Sequence, residues 1–279
     1  FGLDLHDGFT WVYDVTDFEP LLHDSVHLSA GNWQELMDMK FEYIVGTPAR
    51  EVLSVENVWN GDFGLTTFDQ RVTAKRMLMN PSAQEYRLKS VASGHGFGND
   101  PQNCAEFCPK NHYVKVDGAT VNQFLLWKKC ASNPLYPQGG TWLYDRSAWC
   151  PGAPVDIYNT ELTNYVTPGD SATLDYDIQT GNWGNYVFES QLISYGANNF
   201  TIDAAVDDII SPSNKDEHYR DNPICVGPKI KIKNNGSSAL TSLTITYGVV
   251  GGTSSSQNWT GSLGFLETEV VELGALDWT

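Results

Sequence analysis

The sequence has few basic residues and no long apolar run. Lysine and arginine number 17 against 34 acidic residues, which gives a formal net charge of −17. Binding to nucleic-acid phosphates needs clusters of basic side chains, so this balance excludes a nucleic-acid partner. A transmembrane helix needs about 18 consecutive apolar residues, and no such run is present. We therefore expect no transmembrane segment in this chain.

Helical periodicity is also nearly absent. The run VTDFEPLL, residues 15–22, predicts one short helix with Thr16 or Asp17 as its cap. Elsewhere the chain shows short alternating or β-branched runs between Gly, Pro, Asn and Asp turns. Examples are SVHLSA (25–30), MDMKFEYIVG (37–46), HYVKVDG (112–118) and PKIKIKN (228–234). This pattern predicts an all-β protein made of β-sandwiches.

Cysteines are scarce, and four of the five are clustered. Cys104, Cys108, Cys130 and Cys150 form an even set that predicts two disulfides, while Cys225 is left over as a buried thiol. Disulfides persist in oxidising compartments, so we expect a secreted or cell-surface protein. A zinc site is the alternative, although Cys-x3-Cys without a second close Cys or His pair is poor zinc spacing.

Histidine spacing gives no support for a metal. His23 and His27 are four residues apart at the edge of a predicted strand, where the strand rise separates them by roughly 13 Å. The sequence contains no His-x-His or His-His pair. We therefore expect no metal and no cofactor.

Composition shifts divide the chain into three segments, residues 1–47, 48–200 and 201–279. VGTPAREV (45–52) carries a proline that breaks strand pairing. The polar stretch 198–228 predicts a linker before a last immunoglobulin-like β-sandwich. That last unit shows roughly five strands where about seven are usual, and residues 1–47 are too short to close a sandwich. We therefore expect both ends to belong to a longer chain.

Several blocks in order resemble the peptide-N-glycosidase F family over roughly residues 10–200. They are DVTDFEPLL (14–22), FEYIVGTP (41–48), SGHGFGNDPQNCAEFCPKNHYVKVDG (93–118), CASNP (130–134) and PQGGTWLYDRSAWCPGAPV (137–155). Members of this family have two adjacent jelly-roll sandwiches and hydrolyse the amide between asparagine and the innermost N-acetylglucosamine of an N-glycan. The resemblance implies that residues 1–47 end a first jelly roll and that 48–200 form the second. It also implies the disulfides Cys104–Cys108 and Cys130–Cys150.

The resemblance assigns site residues as well. Glu106 in CAEFC matches one of three acids that the family uses, and Arg146 and Trp149 match its partner arginine and tryptophan. The planar fork of Arg146 is suited to hold a carboxylate or a sugar oxygen, and Trp149 offers an apolar surface for a sugar face. His95 replaces a family tryptophan between two glycines, which allow a ligand to approach closely. Each of these three residues also has a purely structural alternative. Glu106 would be a surface acid beside a disulfide, Arg146 would pair with Asp145, and Trp149 would pack on the second disulfide.

The other two acids are expected to be missing here. Aligning on Trp33 puts Gly31 where one glutamate belongs. The essential aspartate belongs to a motif upstream of residue 14, outside the printed sequence.

Two functions follow. The favoured one is a non-catalytic or weakly active module of a longer secreted or cell-surface protein, in glycan binding, adhesion or spacing. Its partners would be an N-glycan or glycoprotein and further domains or chains of a surface assembly. The alternative is a secreted amidase acting on N-glycoproteins. Gly31 and the appended sandwich favour the module, whereas CAEFC and DRSAWCPG favour the amidase.

Overall fold

The computed structural model describes residues 8–31, 37–98, 103–135, 138–221 and 227–275. Within them, the strands are β1 (Arg50–Gly64), β2 (Lys75–Leu78), β3 (Glu85–His95), β4 (Lys110–Val116), β5 (Ala119–Leu126), β6 (Ile157–Glu161), β7 (Ser171–Ile178), β8 (Asn185–Asn198), β9 (Ala204–Ser211), β10 (Lys229–Asn234), β11 (Leu240–Gly248), β12 (Ser254–Leu263) and β13 (Thr268–Glu272). The helices are α1 (Phe68–Arg71) and the 3-10 turns Thr16–Leu21, Leu65–Thr67, Thr163–Tyr165 and Asp216–Asp221. No helix among the described residues has the length and apolar character needed to cross a membrane.

Strands β1 to β8 form two antiparallel sheets that pack face to face. Their orders are β1-β8-β3-β6 and β2-β7-β4-β5. The first strand thus pairs with the eighth, the second with the seventh, the third with the sixth and the fourth with the fifth. This pairing defines a jelly roll, so the predicted all-β sandwich fold is confirmed.

Alternating side chains build the core of this sandwich. In β4, His112, Val114 and Val116 are buried, whereas the residues between them are only half-buried. Such alternation follows from the period of two along a strand. At the centre, four aromatic rings lie within 6.3 Å of the Phe188 ring: Trp59, Phe63, Phe68 and Tyr176. Aromatic burial of this kind contributes much of the stabilising apolar area.

Strands β9 to β13 form a second, smaller sandwich. Its sheets have the orders β13-β10-β9 and β11-β12, and its core includes Ile230, Ile232, Ile245 and Trp259. Strand β9 lies inside the stretch that was predicted to be a linker, so that prediction was wrong for Ala204–Ser211. Acids break the apolar pattern of β9, but Asp207 pairs with Lys231 of the neighbouring strand at 2.9 Å. Cross-strand charge pairing therefore stabilises a strand that hydrophobicity alone did not predict.

The segment before β1 differs from the prediction. Residues 25–30 and 37–46 form no strand, because no described strand runs beside them and a strand needs a hydrogen-bonding partner. The expected short helix is the 3-10 turn Thr16–Leu21, but neither predicted residue caps it. Asp17 instead accepts hydrogen bonds from Lys89 Nζ and Tyr195 Oη, each at 2.8 Å, and so attaches this segment to the first sandwich. Cys225 lies outside the described residues.

Candidate functional site

Three chain segments meet at one end of the jelly roll. The Gly94 N–H donates to Ser147 O at 3.2 Å, the Ser147 N–H to Glu106 O at 2.9 Å, and the Glu106 N–H to Gly96 O at 3.2 Å. Gly94 is required by this close approach, since a Cβ there would lie 2.3 Å from the Ala105 carbonyl oxygen. The backbone around Glu106 is therefore bonded on both sides.

Both disulfides implied by the family resemblance are present and buried. Cys104–Cys108, with a sequence separation of 4, brackets Glu106. Cys130–Cys150, with a separation of 20, closes the loop that carries Arg146. The pairing of these four cysteines is thus confirmed, and each disulfide supports one half of the site.

The two disulfides predict different effects on removal. Replacing Cys130 and Cys150 by alanine should lower the free energy of unfolding by about 3 kcal/mol, because the larger loop gains more chain entropy when opened. Replacing Cys104 and Cys108 should lower it less, since the loop they close is short. Urea denaturation of both double variants measures the difference. An equal or reversed order of stability would contradict it.

Glu106 and Arg146 form an ion pair with little solvent exposure. Arg146 Nη1 donates to Glu106 Oε1 at 3.0 Å, and their side chains are 3% and 14% exposed respectively. The other carboxylate oxygen, Oε2, accepts the Gly96 N–H at 3.0 Å. Burial lowers the pKa of Arg146, and attraction to Glu106 offsets part of that lowering. An arginine remains charged under such a shift, so it holds the carboxylate in one orientation.

Arg146 is itself held by backbone carbonyls and rings. Nη2 donates to Thr141 O at 2.6 Å and Nε to Tyr144 O at 3.2 Å. The guanidinium carbon lies 4.5 Å from the centre of the Trp149 ring and 4.7 Å from that of Phe107. These cation–π contacts and hydrogen bonds fix the fork of Arg146 toward Glu106.

Trp149 and His95 complete the cluster. The Trp149 indole N–H donates to Gly94 O at 2.7 Å, and its ring centre lies 5.1 Å from that of His95. His95 Nε2 and Ser93 Oγ are hydrogen bonded at 2.8 Å. Burial lowers the pKa of His95, although Glu106 and Asp62 act to raise it. The imidazole is therefore neutral at pH 7 and can act as a hydrogen-bond partner without adding charge.

The predicted residues thus come together in space. Arg146 pairs with Glu106 and not with Asp145, whose carboxylate accepts the Cys130 N–H at 3.1 Å. Gly31 is exposed, and nothing lies within 4 Å of where its side chain would begin. A glycine supplies no carboxylate at that position, whereas Trp33 lies outside the described residues.

One residue of this region was missed by sequence reasoning. Trp183, in the turn GNWGN, is 58% exposed, and its Cδ1 atom lies 3.7 Å from where a Cβ of Gly96 would be. A tryptophan between two glycines in a turn is a signal that could have identified it, since such a position places a large ring outside the core.

A separate group of ligand-type side chains lies in the second sandwich. Atoms of Asp208, Glu217 and His218 lie within 4.8 Å of one another. Asp208 already accepts bonds from Lys215 Nζ at 2.6 Å and His218 Nε2 at 2.7 Å. Burial acts to raise the pKa of Asp208, but these bonds outweigh it and lower that pKa. Both oxygens of the Asp208 carboxylate already have a partner, Lys215 or His218, so we treat the group as a structural ion-pair network.

Fold and site together define a jelly-roll domain with an oriented carboxylate among aromatic rings. The family model for the C-terminal domain of peptide-N-glycosidase F matches residues 65–195. That part of the chain is therefore similar to the C-terminal domain of the peptide-N-glycosidase F family, in agreement with the resemblance seen in the sequence.

Solved structures agree on the fold. The chain is similar to a peptide-N(4)-(N-acetyl-β-D-glucosaminyl) asparagine amidase, with 23% identity and a TM-score of 0.50. It is also similar to PNGase F, a glycosylasparaginase from Flavobacterium meningosepticum, with 24% identity and a TM-score of 0.50. Each match covers 55% of this chain and 55% of the solved chain, so the chain spans about half the length of these structures. No curated protein is a significant match in sequence.

Proposed function

We propose that this chain is a glycan-binding module that recognises N-glycans of glycoproteins through the site around Glu106. The observation that carries the proposal is the oriented Glu106 carboxylate, held by Arg146 and by the Gly96 N–H. A carboxylate has about four acceptor sites, so it can still accept hydrogen bonds from sugar hydroxyls. Trp149, half-buried beside the pair, offers an apolar ring for a sugar face.

Gly31 favours binding over hydrolysis. Cleaving an amide needs an acid or base to activate the attacking group and hydrogen bonds to the leaving glycosylamine. The family resemblance places a glutamate at this position, and glycine can neither transfer a proton nor stabilise charge. The module is therefore non-catalytic or weakly active.

Hydrolysis of the asparagine–N-acetylglucosamine amide is the second candidate function. The retained ion pair favours it, because an arginine-bound carboxylate is costly to keep at low exposure unless it has a role. An aspartate supplied by another part of a longer protein would complete the chemistry.

The test uses an N-glycopeptide and a denatured N-glycoprotein with the intact chain. Glu106→Gln should weaken glycopeptide binding by about 10-fold or more in calorimetry, since it removes a hydrogen bond to a charged group. Glu161→Gln, whose side chain is 53% exposed and pairs with Arg87, is the matched control and should bind as the wild type does.

Three outcomes separate the candidates. Binding without glycan release supports the module. Release by the wild type that Glu106→Gln abolishes, seen as a mobility shift, establishes the amidase instead. A wild-type protein that neither binds the glycopeptide nor releases the glycan would contradict both functions.

We also propose the domain division predicted from the sequence. Residues 1–47 would belong to a first jelly roll, 48–200 to the second, and 201–279 to an immunoglobulin-like unit. Residues 37–46 are all exposed, and Met39, Phe41 and Tyr43 alternate with the charged Lys40 and Glu42, a pattern that would suit a strand if a pairing partner were present. Two buried disulfides support a secreted or cell-surface location.

A further inference from the structure

Trp183 differs from three less exposed tryptophans of this chain. The indole N–H groups of Trp59, Trp149 and Trp259 each donate to a protein oxygen, at 2.9, 2.7 and 3.1 Å. In the part of the chain that the structure describes, the Trp183 indole has no such acceptor, and the residue is 58% exposed. Its ring area and its donor are therefore both available to a ligand.

The backbone beneath this ring is rigidly placed. The Trp183 N–H donates to Asn103 O at 3.2 Å, and Trp183 forms an isolated β-bridge with Cys104. Gly184 has φ +97°, and a Cβ there would lie 2.3 Å from His95 O. The exposed ring is thus carried by a chain segment that is packed directly onto the Glu106 loop and β3.

Glycines leave the surface beside the ring open. A Cβ at Gly98 would lie 3.2 Å from the Trp183 Cβ and 3.3 Å from its Cγ. Gly96 separates the ring from Glu106: its N–H donates to the Glu106 carboxylate at 3.0 Å, and its missing Cβ would lie 3.7 Å from Trp183 Cδ1. The ring and the carboxylate are therefore both neighbours of Gly96.

We propose that Trp183 is a stacking platform for a neutral pyranose ring of the N-glycan, and that the Glu106 carboxylate accepts hydrogen bonds from the same sugar or its neighbour. A sugar has an apolar C–H face and a rim of hydroxyl donors, which matches an exposed indole beside a carboxylate. A net charge of −17 repels anionic ligands but leaves a neutral sugar unaffected. This inference rests on the proposed glycan-binding function and names a specificity-determining residue for it.

The experiment compares Trp183→Ala, Trp183→Phe and Tyr165→Ala in the intact chain. Tyr165, on the 3-10 turn Thr163–Tyr165, is 50% exposed and serves as the matched aromatic control. The probes are chitobiosyl-asparagine and an unglycosylated asparagine peptide, with affinity measured by calorimetry. We expect about 10-fold weaker chitobiosyl-asparagine binding for Trp183→Ala, a smaller loss for Trp183→Phe, and wild-type affinity for Tyr165→Ala. The blue shift of tryptophan fluorescence on binding should vanish in Trp183→Phe.

The outcomes distinguish this inference from the function on which it rests. Wild-type affinity in Trp183→Ala, with weakened binding in Glu106→Gln, would overturn the platform and leave the glycan-binding function standing. A loss for the unglycosylated peptide alone would make Trp183 a peptide contact and also overturn the platform. A wild type that binds no chitobiosyl-asparagine would overturn both. An unchanged melting temperature of Trp183→Ala excludes misfolding as the cause of a loss.

Discussion

Replacing Arg146 by methionine is expected to lower the free energy of unfolding by about 3 kcal/mol, because it leaves the Glu106 carboxylate at low exposure without its counter-charge. The change also removes the donors to the Thr141 and Tyr144 carbonyls inside the Cys130–Cys150 loop. Glycopeptide binding should be lost with it, since the carboxylate is no longer held in one orientation. Urea denaturation and calorimetry measure the two effects.

Two further variants control this result. Arg87→Met removes an arginine whose partner Glu161 is 53% exposed, and should change stability by about 1 kcal/mol or less. Adding Glu106→Gln to Arg146→Met should restore part of the loss, because a neutral amide needs no counter-charge. Equal losses for Arg146→Met and Arg87→Met would contradict the importance of this ion pair for the fold.

Acid should destabilise the protein through His112. This side chain is buried in the jelly-roll core, where Nδ1 bonds to Tyr176 Oη at 2.8 Å and Nε2 has no partner in the described chain. Burial lowers the pKa of His112 from its ordinary value of 6.5 to about 3. The unfolded chain therefore takes up a proton below pH 6.5, whereas the folded chain stays neutral until about pH 3. The stability that depends on neutral His112 is therefore present above pH 6.5 and is lost progressively as the pH falls from 6.5 toward about 3, by on the order of 1 kcal/mol per pH unit.

A pair of variants isolates this effect from that of the acids. Burial acts to raise the pKa of Asp17, but hydrogen bonds from Lys89 and Tyr195 outweigh it, so that this pKa is lowered overall. Protonation of Asp17 in acid therefore also destabilises the folded protein. In His112→Phe/Tyr176→Phe both partners become apolar together, which avoids an unpaired buried group. Between pH 7 and about pH 4.5, this double variant should lose roughly 2 to 3 kcal/mol less than Tyr176→Phe alone. Identical pH profiles of the two variants would show that His112 is not responsible.

The proposed recognition of chitobiose would depend on residues that loop glycines allow to come close together. Gly94 lets the Glu106 loop approach β3, and Gly96 places its N–H on the carboxylate. The site is therefore built mainly from loops on a rigid sandwich, which is where binding residues of β-sandwich proteins commonly lie. Such a site can keep its shape even where Gly31 supplies no acid.

Much of the fold could be predicted from local patterns. The alternation in β4 and β10 and the Gly and Pro turns indicated strands, since burial on one face imposes a period of two. Strand β9 was missed because Asp207 depends on Lys231 of the neighbouring strand. Residues 37–46 carry the same alternation as true strands, but no strand of the described residues pairs with them. Sequence alone does not reveal whether a partner is present.

The sequence by itself determined the all-β class, the presence of two disulfides and the family blocks that contain Glu106, Arg146, Trp149 and His95, and the resemblance of those blocks to the family implied the disulfide pairs. These features depend on residue type and spacing along the chain, which a sequence displays directly. Only the tertiary structure decided that Arg146 pairs with Glu106, 40 residues before it in the chain, and not with the adjacent Asp145. It also decided that Trp183 stands beside the same glycine as Glu106. In a jelly roll, neighbouring loops come from distant parts of the chain, so such contacts arise from strand pairing and not from sequence proximity.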